Sequence, residues 1–450
     1  MTTLPVWDAA EPLLRRVSSP TFVGRTDELA ALDLALARSV AGSPGFAFVA
    51  GESGVGKSRL VRELEARAVA AGARVLVGHC RGTVFPYAPL VAALRSAGES
   101  LPEAESRPEV FDALLALLDR LGPVLLVLED LHWADPSTRD FLVFLVRSAR
   151  AERLCTVATY RSDELHRRHP LRPLLAELER VPGVERIALE RFSREELAEQ
   201  VTGILDEPAE DRLADRLYVR SQGNPLYTEE LLAAASDGAG ELPATLRDAV
   251  LGRFERLPAA AREVVRIAAV AERPLSPALL AAACDLPAAE LRDGAREAVA
   301  GRLLVIRPDG TYAFRHALVG EVIYEDLLPG ERTALHAALG EAIEREPALL
   351  GDTPAAALAT HWRGAHDLPR MLEASVAAGF EARRVQAPRE ALRHLETALS
   401  LWDRVPDAAE RAGRPRPEVL REAAAAAGEC FAASRSVALA REALAAESGT

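Results

Sequence analysis

Lysine is almost missing from this chain of 450 residues, in which Lys57 is the only one. Asparagine is as rare, since Asn224 stands alone, and arginine supplies nearly all of the positive charge. A GC-rich genome that disfavours AT-rich codons explains this bias without protein physics. A position that keeps lysine against such a bias is therefore a candidate for a chemical requirement.

Cysteine and long apolar runs are scarce as well. Cys80, Cys155, Cys284 and Cys430 lie far apart, without a CxxC pair or a histidine at metal-ligand spacing, which disfavours zinc sites and disulfide frameworks. Nowhere do about 18 apolar residues follow one another, and residues 1–14 lack the apolar segment of a signal peptide. We therefore expect no membrane contact and a cytoplasmic location.

Positive charge is in deficit, because 67 acidic residues face 54 lysines and arginines, for a formal net charge of -13. A general nucleic-acid-binding protein needs a basic surface to release counterions from phosphate, so this class is disfavoured. With 49% hydrophobic and 27% charged residues, the composition is that of a globular protein. A chain of this length is expected to form several domains.

A glycine-rich loop from Gly51 to Ser58 matches the pattern GxxxxGK[ST], between a predicted strand and a predicted helix. Its glycines let backbone N–H groups converge on one anion, at the positive end of the following helix. We expect Lys57 to reach the β and γ oxygens of ATP and the Ser58 hydroxyl to hold Mg²⁺. The only lysine of the chain thus lies where this loop requires one. The predicted nucleotide contacts of the loop are Gly51, Ser53, Gly54, Val55, Gly56, Lys57, Ser58 and Arg59.

An apolar strand, residues 124–128, ends in the carboxylates Glu129 and Asp130. In a Walker B element one carboxylate holds Mg²⁺ and the other orients or deprotonates the attacking water. By its place in the sequence, Glu129 takes the position that usually binds the metal, and Asp130 takes that of the base. The commoner order is Asp followed by Glu, so the assignment of the metal ligand stays open. A solvated acidic strand end is the alternative. Trp133, shortly after, is expected to pack as core against the sheet edge.

Apolar segments alternate with helical ones from residue 21 to residue 190, which predicts a parallel sheet with helices on both faces. Beyond it a capping-box pattern, Ser193 with Glu196, begins a helical region. Three short helices and a hairpin then suggest a winged helix, and an alanine-rich remainder suggests tetratricopeptide-like helical repeats. The predicted strands are 46–50, 75–78, 124–129, 155–159 and 184–189. The predicted domains are a leader (1–20), a P-loop NTPase domain (21–190), a helical lid (191–257), a winged-helix domain (258–330) and helical repeats (331–450) that stop in mid-array, as in a truncated chain.

Two segments, Phe22–Glu28 before the loop and Leu128–Asp135 after it, resemble the STAND class of signalling NTPases. The likeness is closest to the large ATP-binding regulators of the LuxR family. The first segment is similar to the hhGRxxE motif of that class, which implies that Val23, Gly24 and Arg25 lie beside the adenine and ribose. An ordinary helix start capped by Thr26 is the alternative.

The same resemblance assigns three further nucleotide contacts. Arg161, which follows the fourth predicted strand, looks like the sensor that meets the γ-phosphate. Gly223-Asn224-Pro225 resembles the GxP motif, which implies that Pro225 closes over the nucleotide, although the string also suits an ordinary turn. His316 is similar to the histidine that contacts the ADP β-phosphate. A helix-capping or half-buried histidine is the alternative there.

This resemblance implies a switch: ADP holds the NTPase, lid and winged-helix units closed, and ATP opens them to self-associate or signal. The process that the resemblance implies for this switch is the regulation of transcription. An inducer, protein or small molecule, would bind the helical repeats. No C-terminal helix-turn-helix is visible in the sequence, so DNA contact is expected only through a domain that this chain does not include. The alternatives are a turnover ATPase of the AAA type that drives remodelling, and a helical-repeat adaptor with a vestigial nucleotide site.

Overall fold

The computed structural model of the protein describes residues 18–80, 85–234, 245–271, 273–350 and 354–448. The predicted leader therefore lies almost entirely outside the described residues. Helices dominate the chain, and a parallel sheet lies in its first half. Among the described residues no helix is long and apolar enough to cross a membrane.

A five-stranded parallel sheet forms the first structural unit. Its strands are β1 (Gly45–Gly51), β2 (Arg74–His79), β3 (Val124–Glu129), β4 (Leu154–Arg161) and β5 (Val184–Ala188). They lie in the order β2-β3-β4-β1-β5, so the carboxyl ends of β3, β4 and β1 are neighbours at one edge. Every residue of β1 and β4 is buried, as expected for central strands covered on both faces. The predicted parallel sheet is confirmed.

Helices cover both faces of this sheet. They are α1 (Thr26–Val40), α2 (Lys57–Ala70), α3 (Ala88–Ser96), α4 (Arg107–Arg120), α5 (Pro136–Ser148) and α6 (Leu171–Leu178). The first two pack on the face that carries Val49 and Leu125, and the other four on the face that carries Phe48 and Leu126. Side chains of neighbouring strand residues point to opposite faces, so each strand contributes to both cores.

A small helical unit follows the sheet. It consists of α7 (Arg194–Leu205), α8 (Asp211–Ser221) and α9 (Pro225–Ala234), which enclose their own core together with Val23 and Phe192. The predicted capping box is present, because Ser193 Oγ accepts a hydrogen bond from the Glu196 N–H while the Glu196 carboxylate accepts one from the Ser193 N–H. The start of the helical region is thereby confirmed.

The next unit joins helices to a short hairpin. Its elements are α10 (Leu246–Arg256), α11 (Ala259–Val270), α12 (Pro277–Ala283), α13 (Ala288–Ala300), β6 (Leu304–Ile306), β7 (Tyr312–Phe314) and α14 (Ala317–Asp326). The antiparallel pair β6 and β7 is closed by a turn in which Gly310 has a φ of +79°. Leu275 and Tyr312 add a further antiparallel bridge. The helices and hairpin expected for a winged helix occur in order, and the winged-helix assignment stays a prediction.

The remainder of the described chain is helical. It comprises α15 (Pro329–Arg345), α16 (Pro354–Gly364), α17 (Leu368–Arg384), α18 (Pro388–Leu401), α19 (Ala408–Arg411), α20 (Arg416–Glu429) and α21 (Ala433–Ser448), with 3₁₀ turns at Pro347–Leu350 and Trp402–Arg404. Neighbouring long helices pack through small residues, as where Gly340 lies against the Trp362 ring, closer than a Cβ would permit. Such close packing suits tetratricopeptide-like repeats, which likewise remain a prediction.

The helical array folds back onto the sheet unit. Ala387 and Ala391, at the start of α18, belong to the same apolar core as Tyr87 and Phe111. Polar contacts reinforce the packing, because the buried Glu390 carboxylate accepts hydrogen bonds from the Ser137 N–H at 2.9 Å and from Ser137 Oγ at 2.8 Å. The face of the sheet unit that carries α3 and α5 is therefore covered by the chain itself.

Candidate nucleotide-binding site

The glycine-rich loop lies between β1 and α2, at the carboxyl edge of the sheet. Gly54 and Gly56 have φ values of +78° and +108°, in the left-handed region that glycine tolerates best, and Gly56 caps α2. A Cβ on Gly54 would approach Leu226 of α9 to 2.7 Å, so this glycine also permits the close approach of that helix. The loop has the backbone that a converging set of N–H donors requires.

Lys57 is the first residue of α2 and is only 8% exposed. Its Nζ donates hydrogen bonds to the carbonyl oxygens of Gly51 and Glu52, each at 2.8 Å. Burial lowers the pKa of Lys57 to about 8, against the opposing influence of Asp130. The ammonium group is thus held within the loop and partly desolvated, which strengthens its interaction with an anion.

Glu129 ends β3 and faces two neighbours. His79 Nδ1, at the end of the adjacent strand β2, lies 2.9 Å from Glu129 Oε2, and Ser58 also hydrogen-bonds to this carboxylate. Burial acts to raise the pKa of Glu129, but the hydrogen bonds from His79 and Ser58 hold it below its ordinary value. An ionised carboxylate thus lies beside a hydroxyl.

These oxygen donors fit Mg²⁺. A hard cation prefers carboxylate and hydroxyl oxygens, and Mg²⁺ usually takes one or two protein ligands together with phosphate oxygens and water. In the described part of the chain no group of three or more histidines, cysteines, aspartates and glutamates is arranged to hold a metal by itself. Ser58 and Glu129 would therefore hold Mg²⁺ jointly with a bound nucleotide.

Asp130 follows β3 in a left-handed conformation, with a φ of 58°. Its N–H donates to Thr159 Oγ1 at 3.0 Å, which fixes the backbone against β4. Burial raises the pKa of the Asp130 carboxyl, although Arg161 Nε, 4.0 Å from Oδ1, acts in the other direction. The two acidic residues thus differ in surroundings: Glu129 faces Ser58, whereas Asp130 faces the cationic side of the site.

Arg161 ends β4 and is 5% exposed. Its guanidinium makes two hydrogen bonds to Glu321 of α14, Nη2 to Oε1 at 2.8 Å and Nη1 to Oε2 at 3.2 Å, and a third to Glu164. Burial disfavours the charge, but the bonds and the charge of Glu321 raise the pKa of Arg161 above its ordinary value. This arginine therefore connects the sheet edge to a unit 160 residues further along the chain.

The segment before α1 runs along the outside of the loop. Gly24 and Arg25 both have φ values near +60°, and the Arg25 guanidinium lies over the Phe192 ring, 5.1 Å from its centroid. Arg25 Nη2 also donates to the Val55 carbonyl at 3.4 Å, while Val23 is buried in the core of the α7–α9 unit. Arg59 Nη2 donates to the carbonyl of Pro20 at 3.0 Å.

The start of α9 rests directly on the glycine-rich loop. Asn224 Nδ2 donates to the Ser53 carbonyl at 2.8 Å, and the Leu226 N–H donates to the Gly54 carbonyl at 3.2 Å. Pro225, the first residue of α9, has a carbonyl that accepts from Gln200 Nε2 at 3.1 Å. The only asparagine of the chain thus joins the GxP-like segment to the loop.

His316 precedes α14 without capping it through its side chain. Its Nε2 lies 3.9 Å from Glu229 Oε2 of α9, and Glu229 also receives Arg315 Nη2 at 3.5 Å. Burial, with the nearby charges of Arg315 and Arg62, lowers the pKa of His316 to about 3, so the ring is neutral. The observed partners of His316 therefore belong to α9, while Arg62 places α2 nearby.

The loop, the Walker B carboxylates and Arg161 lie together at the carboxyl edge of the sheet. Val23 lies instead in the α7–α9 core, and the contacts of His316 are with α9. Sequence reasoning missed Glu321 and Glu164, the two carboxylates on Arg161, and no local pattern marks either of them. His132 belongs to the STAND-like segment Leu128–Asp135 and received no role of its own, yet this residue is buried against Arg161. The expectation for Trp133 was wrong, because its side chain is 49% exposed on a 3₁₀ turn, Leu131–Trp133, that points it away from the core.

Comparison with known proteins gives a family match and one relative. Residues 21–157 match the protein family described as AAA ATPase domain. An uncharacterized protein of Rhizobium meliloti (strain 1021) is 28% identical over 457 aligned positions, which cover 86% of this chain and 43% of that protein. The chain thus spans less than half the length of this relative.

Two solved structures are similar in fold. One is a signal transduction ATPase with numerous domains (STAND) with a tetratricopeptide repeat sensor, from Pyrococcus horikoshii: it is 15% identical, with a TM-score of 0.57, over 95% of this chain and 60% of that one. The other is the Orc1 protein of Aeropyrum pernix in complex with DNA, 20% identical, with a TM-score of 0.42, over 70% of this chain and 98% of that one. The first likeness extends over nearly the whole described fold.

Proposed function

Since residues 21–157 form an ATP-binding P-loop domain of the AAA type, we propose that the whole chain is a nucleotide-operated switch of the STAND class. In this proposal ADP favours a closed arrangement, ATP favours an open one that self-associates, and slow hydrolysis resets the chain. The likeness of its motifs to those of LuxR-family regulators supports transcription as the regulated process.

The observation that carries this proposal is the double hydrogen bond between Arg161 and Glu321. A guanidinium presents its donors as a planar fork, and a carboxylate and a phosphate both fit that fork. We assign to Arg161 the role of sensing the γ-phosphate. Glu321 and the third phosphate of ATP would then compete for the same guanidinium. In this proposal the residue that senses ATP, Arg161, is also the residue that binds α14 in the closed arrangement.

This competition would distinguish ATP from ADP. Arg161 is buried, and a buried cation that loses its carboxylate is strongly disfavoured unless another anion replaces it. The γ-phosphate supplies that anion, whereas ADP does not. A ligand shifts a conformational equilibrium only by its difference in affinity for the two states, and couplings of this kind are typically about 1–3 kcal/mol.

Two further contacts would maintain the closed arrangement. Asn224 fastens α9 to the loop at Ser53, and Glu229 of the same helix faces Arg315 and His316 just ahead of α14. Val23, Gly24, Arg25 and Pro225 remain our proposed contacts for the base and ribose, and His316 our proposed contact for the β-phosphate. A nucleotide in the loop would thus touch the sheet unit, the α7–α9 unit and the unit that ends in α14.

The helices after residue 329 are, in this proposal, the sensor. Their fold is similar to that of a protein with a tetratricopeptide repeat sensor, and they pack on the sheet unit close to the Walker B end. We propose that an inducer, a protein or a small molecule, binds these helices and weakens that packing. Nucleotide exchange would follow.

Replacing Glu321 with alanine should free Arg161 from α14 and shift the chain toward the open arrangement. We expect the affinity for ATP relative to ADP to rise about 5- to 50-fold, because the carboxylate that joins Arg161 to α14 no longer competes with the γ-phosphate. Small-angle scattering with each nucleotide should show an expanded envelope already in ADP. Nucleotide titrations measure the affinity ratio.

Glu325→Ala is the matched control, because Glu325 lies on the same helix and pairs with Arg247 at the surface, at 3.1 Å. It should leave both the envelope and the affinity ratio unchanged. The switch proposal fails if Glu321→Ala behaves like this control. A steady-state kcat of about 1 per second or faster in the wild type would favour a turnover ATPase instead.

Glu129→Gln and Asp130→Asn should separate the two acidic roles. We expect both variants to bind ATP and to hydrolyse it about 100-fold or more slowly. Because Glu129 lies beside Ser58, Glu129→Gln should also raise the Mg²⁺ concentration needed for half-maximal nucleotide binding, whereas Asp130→Asn should not. Turnover of radiolabelled ATP and Mg²⁺ titrations of binding test this assignment, which an opposite pattern of Mg²⁺ dependence would reverse.

A further inference from the structure

His132 lies between the Walker B end and Arg161. Its imidazole is buried, and its Nδ1 accepts a hydrogen bond from the backbone N–H of Arg161 at 3.3 Å. Its Nε2 lies 3.3 Å from Glu164 Oε2, the residue whose other carboxylate oxygen binds the Arg161 guanidinium. The ring therefore touches both the backbone of Arg161 and the carboxylate that holds its side chain.

A neutral imidazole has one nitrogen that accepts and one that donates a hydrogen bond, and the contacts of His132 show which nitrogen has which role. Burial, with the charges of Arg161 and Lys57, lowers the pKa of His132 to about 3, so the ring stays neutral. Since Nδ1 accepts, Nε2 carries the proton. Within the described part of the chain this buried Nε2–H makes no hydrogen bond of good geometry, although Glu164 is near. A buried N–H without an acceptor is energetically unfavourable. It can therefore donate to a carboxylate that turns toward it.

We propose that His132 is the positioning residue of Arg161, and that its Nε2–H becomes the partner of Glu164 when the guanidinium moves to a phosphate. This inference rests on the proposed function, in which Arg161 meets the γ-phosphate. In the closed arrangement Glu164 binds Arg161. In the ATP-bound arrangement Glu164 turns to His132, while the Nδ1 bond keeps the backbone of Arg161 in place.

The surroundings of Glu164 explain why a second partner is needed. Its carboxylate is half-buried and lies near the negative charges of Glu321 and Asp163, so that losing Arg161 leaves it without a favourable contact. A hydrogen bond from a neutral donor compensates for that loss without attracting Arg161 back. His132 thereby makes the departure of the guanidinium less unfavourable, which favours ATP specifically.

Three substitutions separate the two ring nitrogens. His132→Asn keeps an acceptor near the Nδ1 position and lacks a donor at the Nε2 position, His132→Gln keeps a donor near the Nε2 position, and His132→Leu lacks both. We expect the affinity for ATP, but not for ADP, to fall about tenfold in the leucine and asparagine variants and to stay within about threefold of wild type in the glutamine variant.

Titration of the purified full chain with fluorescent ATP and ADP analogues provides the measurement, with thermal unfolding as the check on folding. Parallel losses for ATP and ADP would show that His132 is only a packing residue and overturn the proposal. If the leucine variant does not fold, the asparagine and glutamine variants test the proposal by themselves. The mechanism is refuted if the glutamine variant loses the preference for ATP over ADP while the asparagine variant keeps it.

Arg161→Leu, measured alongside, separates this inference from the proposed function. If that variant keeps the wild-type preference for ATP over ADP, Arg161 is not the sensor and the proposed function itself fails. If Arg161→Leu loses the preference and His132→Leu keeps it, the sensor stands and only the role of His132 is overturned.

Discussion

Replacing Lys57 with alanine is expected to weaken ATP binding by about 100-fold or more while the fold remains intact. The ammonium group supplies charged hydrogen bonds to phosphate, each typically about 1.5–3 kcal/mol, in a buried loop where water cannot replace them. It is also the only lysine in the chain, so no neighbouring residue of the same type can substitute.

The fold should survive because the loop does not depend on the side chain. The Gly51 carbonyl also accepts the Ser162 N–H, and the Glu52 carbonyl also accepts the Val55 N–H, each at 3.3 Å. Neither oxygen loses its last partner when Lys57 is removed. Alanine is moreover a strong helix former at the first position of α2.

A fluorescent ATP-analogue titration measures the loss, and circular dichroism with thermal unfolding measures the fold. Arg67→Ala is the matched control, since Arg67 lies in the last turn of the same helix and pairs with Asp33 at the surface. It should bind ATP as the wild type does. Wild-type affinity in Lys57→Ala would contradict the assignment of the loop as the phosphate site.

Local patterns were sufficient to predict the elements that carry the loop and the acidic strand end. The strand 124–129 is found within those bounds, and a helix, α2, follows the glycine-rich loop as predicted. Both predictions depend on the spacing of apolar residues and on the positions of glycines, and a window of about ten residues shows both features. The sequence pattern did not predict α3 or α6, which have only 9 and 8 residues and begin beside prolines.

Contacts between units could not be predicted in this way. Glu321 pairs with Arg161 across 160 residues, and Glu390 pairs with Ser137 across 253. Such pairs depend on how complete units pack, which no periodicity within one element encodes. The error at Trp133 has a related cause: a large aromatic residue after a buried strand suits a core, but the backbone turns at Asp130 into a 3₁₀ turn that buries Leu131 and leaves Trp133 exposed.

A buried pair of acids joins the helical array to the sheet unit. Glu390 on α18 is 0% exposed and lies beside Asp135, whose carboxylate caps α5 by accepting the Thr138 N–H at 2.8 Å. Burial, with the charge of Asp135, raises the pKa of Glu390 to about 8. At neutral pH the docked array therefore holds a proton that the same carboxyl would release in water. The other titratable groups that interact with Glu390 are Tyr87, Arg139, Arg393 and Cys430.

The pH dependence of docking follows from this raised pKa. The docked form binds the proton up to about pH 8, whereas an undocked Glu390 loses it near its ordinary value of 4.5. Between these values the docked form holds more protons, so docking is strongest at low pH and weakens as pH rises, by up to about tenfold per pH unit. Above about pH 8 both forms are ionised at Glu390 and this contribution changes no further.

Glu390→Gln should strengthen docking at pH 7–8 and remove most of this pH dependence. Glutamine keeps an oxygen for Ser137 and a donor for Asp135, and its amide needs no proton to be neutral. Hydrogen exchange at the Ser137 and Thr138 amides, followed from pH 6 to pH 8 and corrected for the intrinsic rate, measures undocking.

Glu396→Gln is the control, because Glu396 lies on the same helix and pairs with Arg435 at the surface. It should keep the wild-type profile, in which undocking increases with pH. Exchange that rises equally in Glu390→Gln and in this control would show that Glu390 does not set the pH response. If exchange is independent of pH in Glu390→Gln alone, the proton on Glu390 controls how tightly the helical array packs on the sheet unit. In the proposed switch, this is the packing that an inducer must weaken before nucleotide exchange.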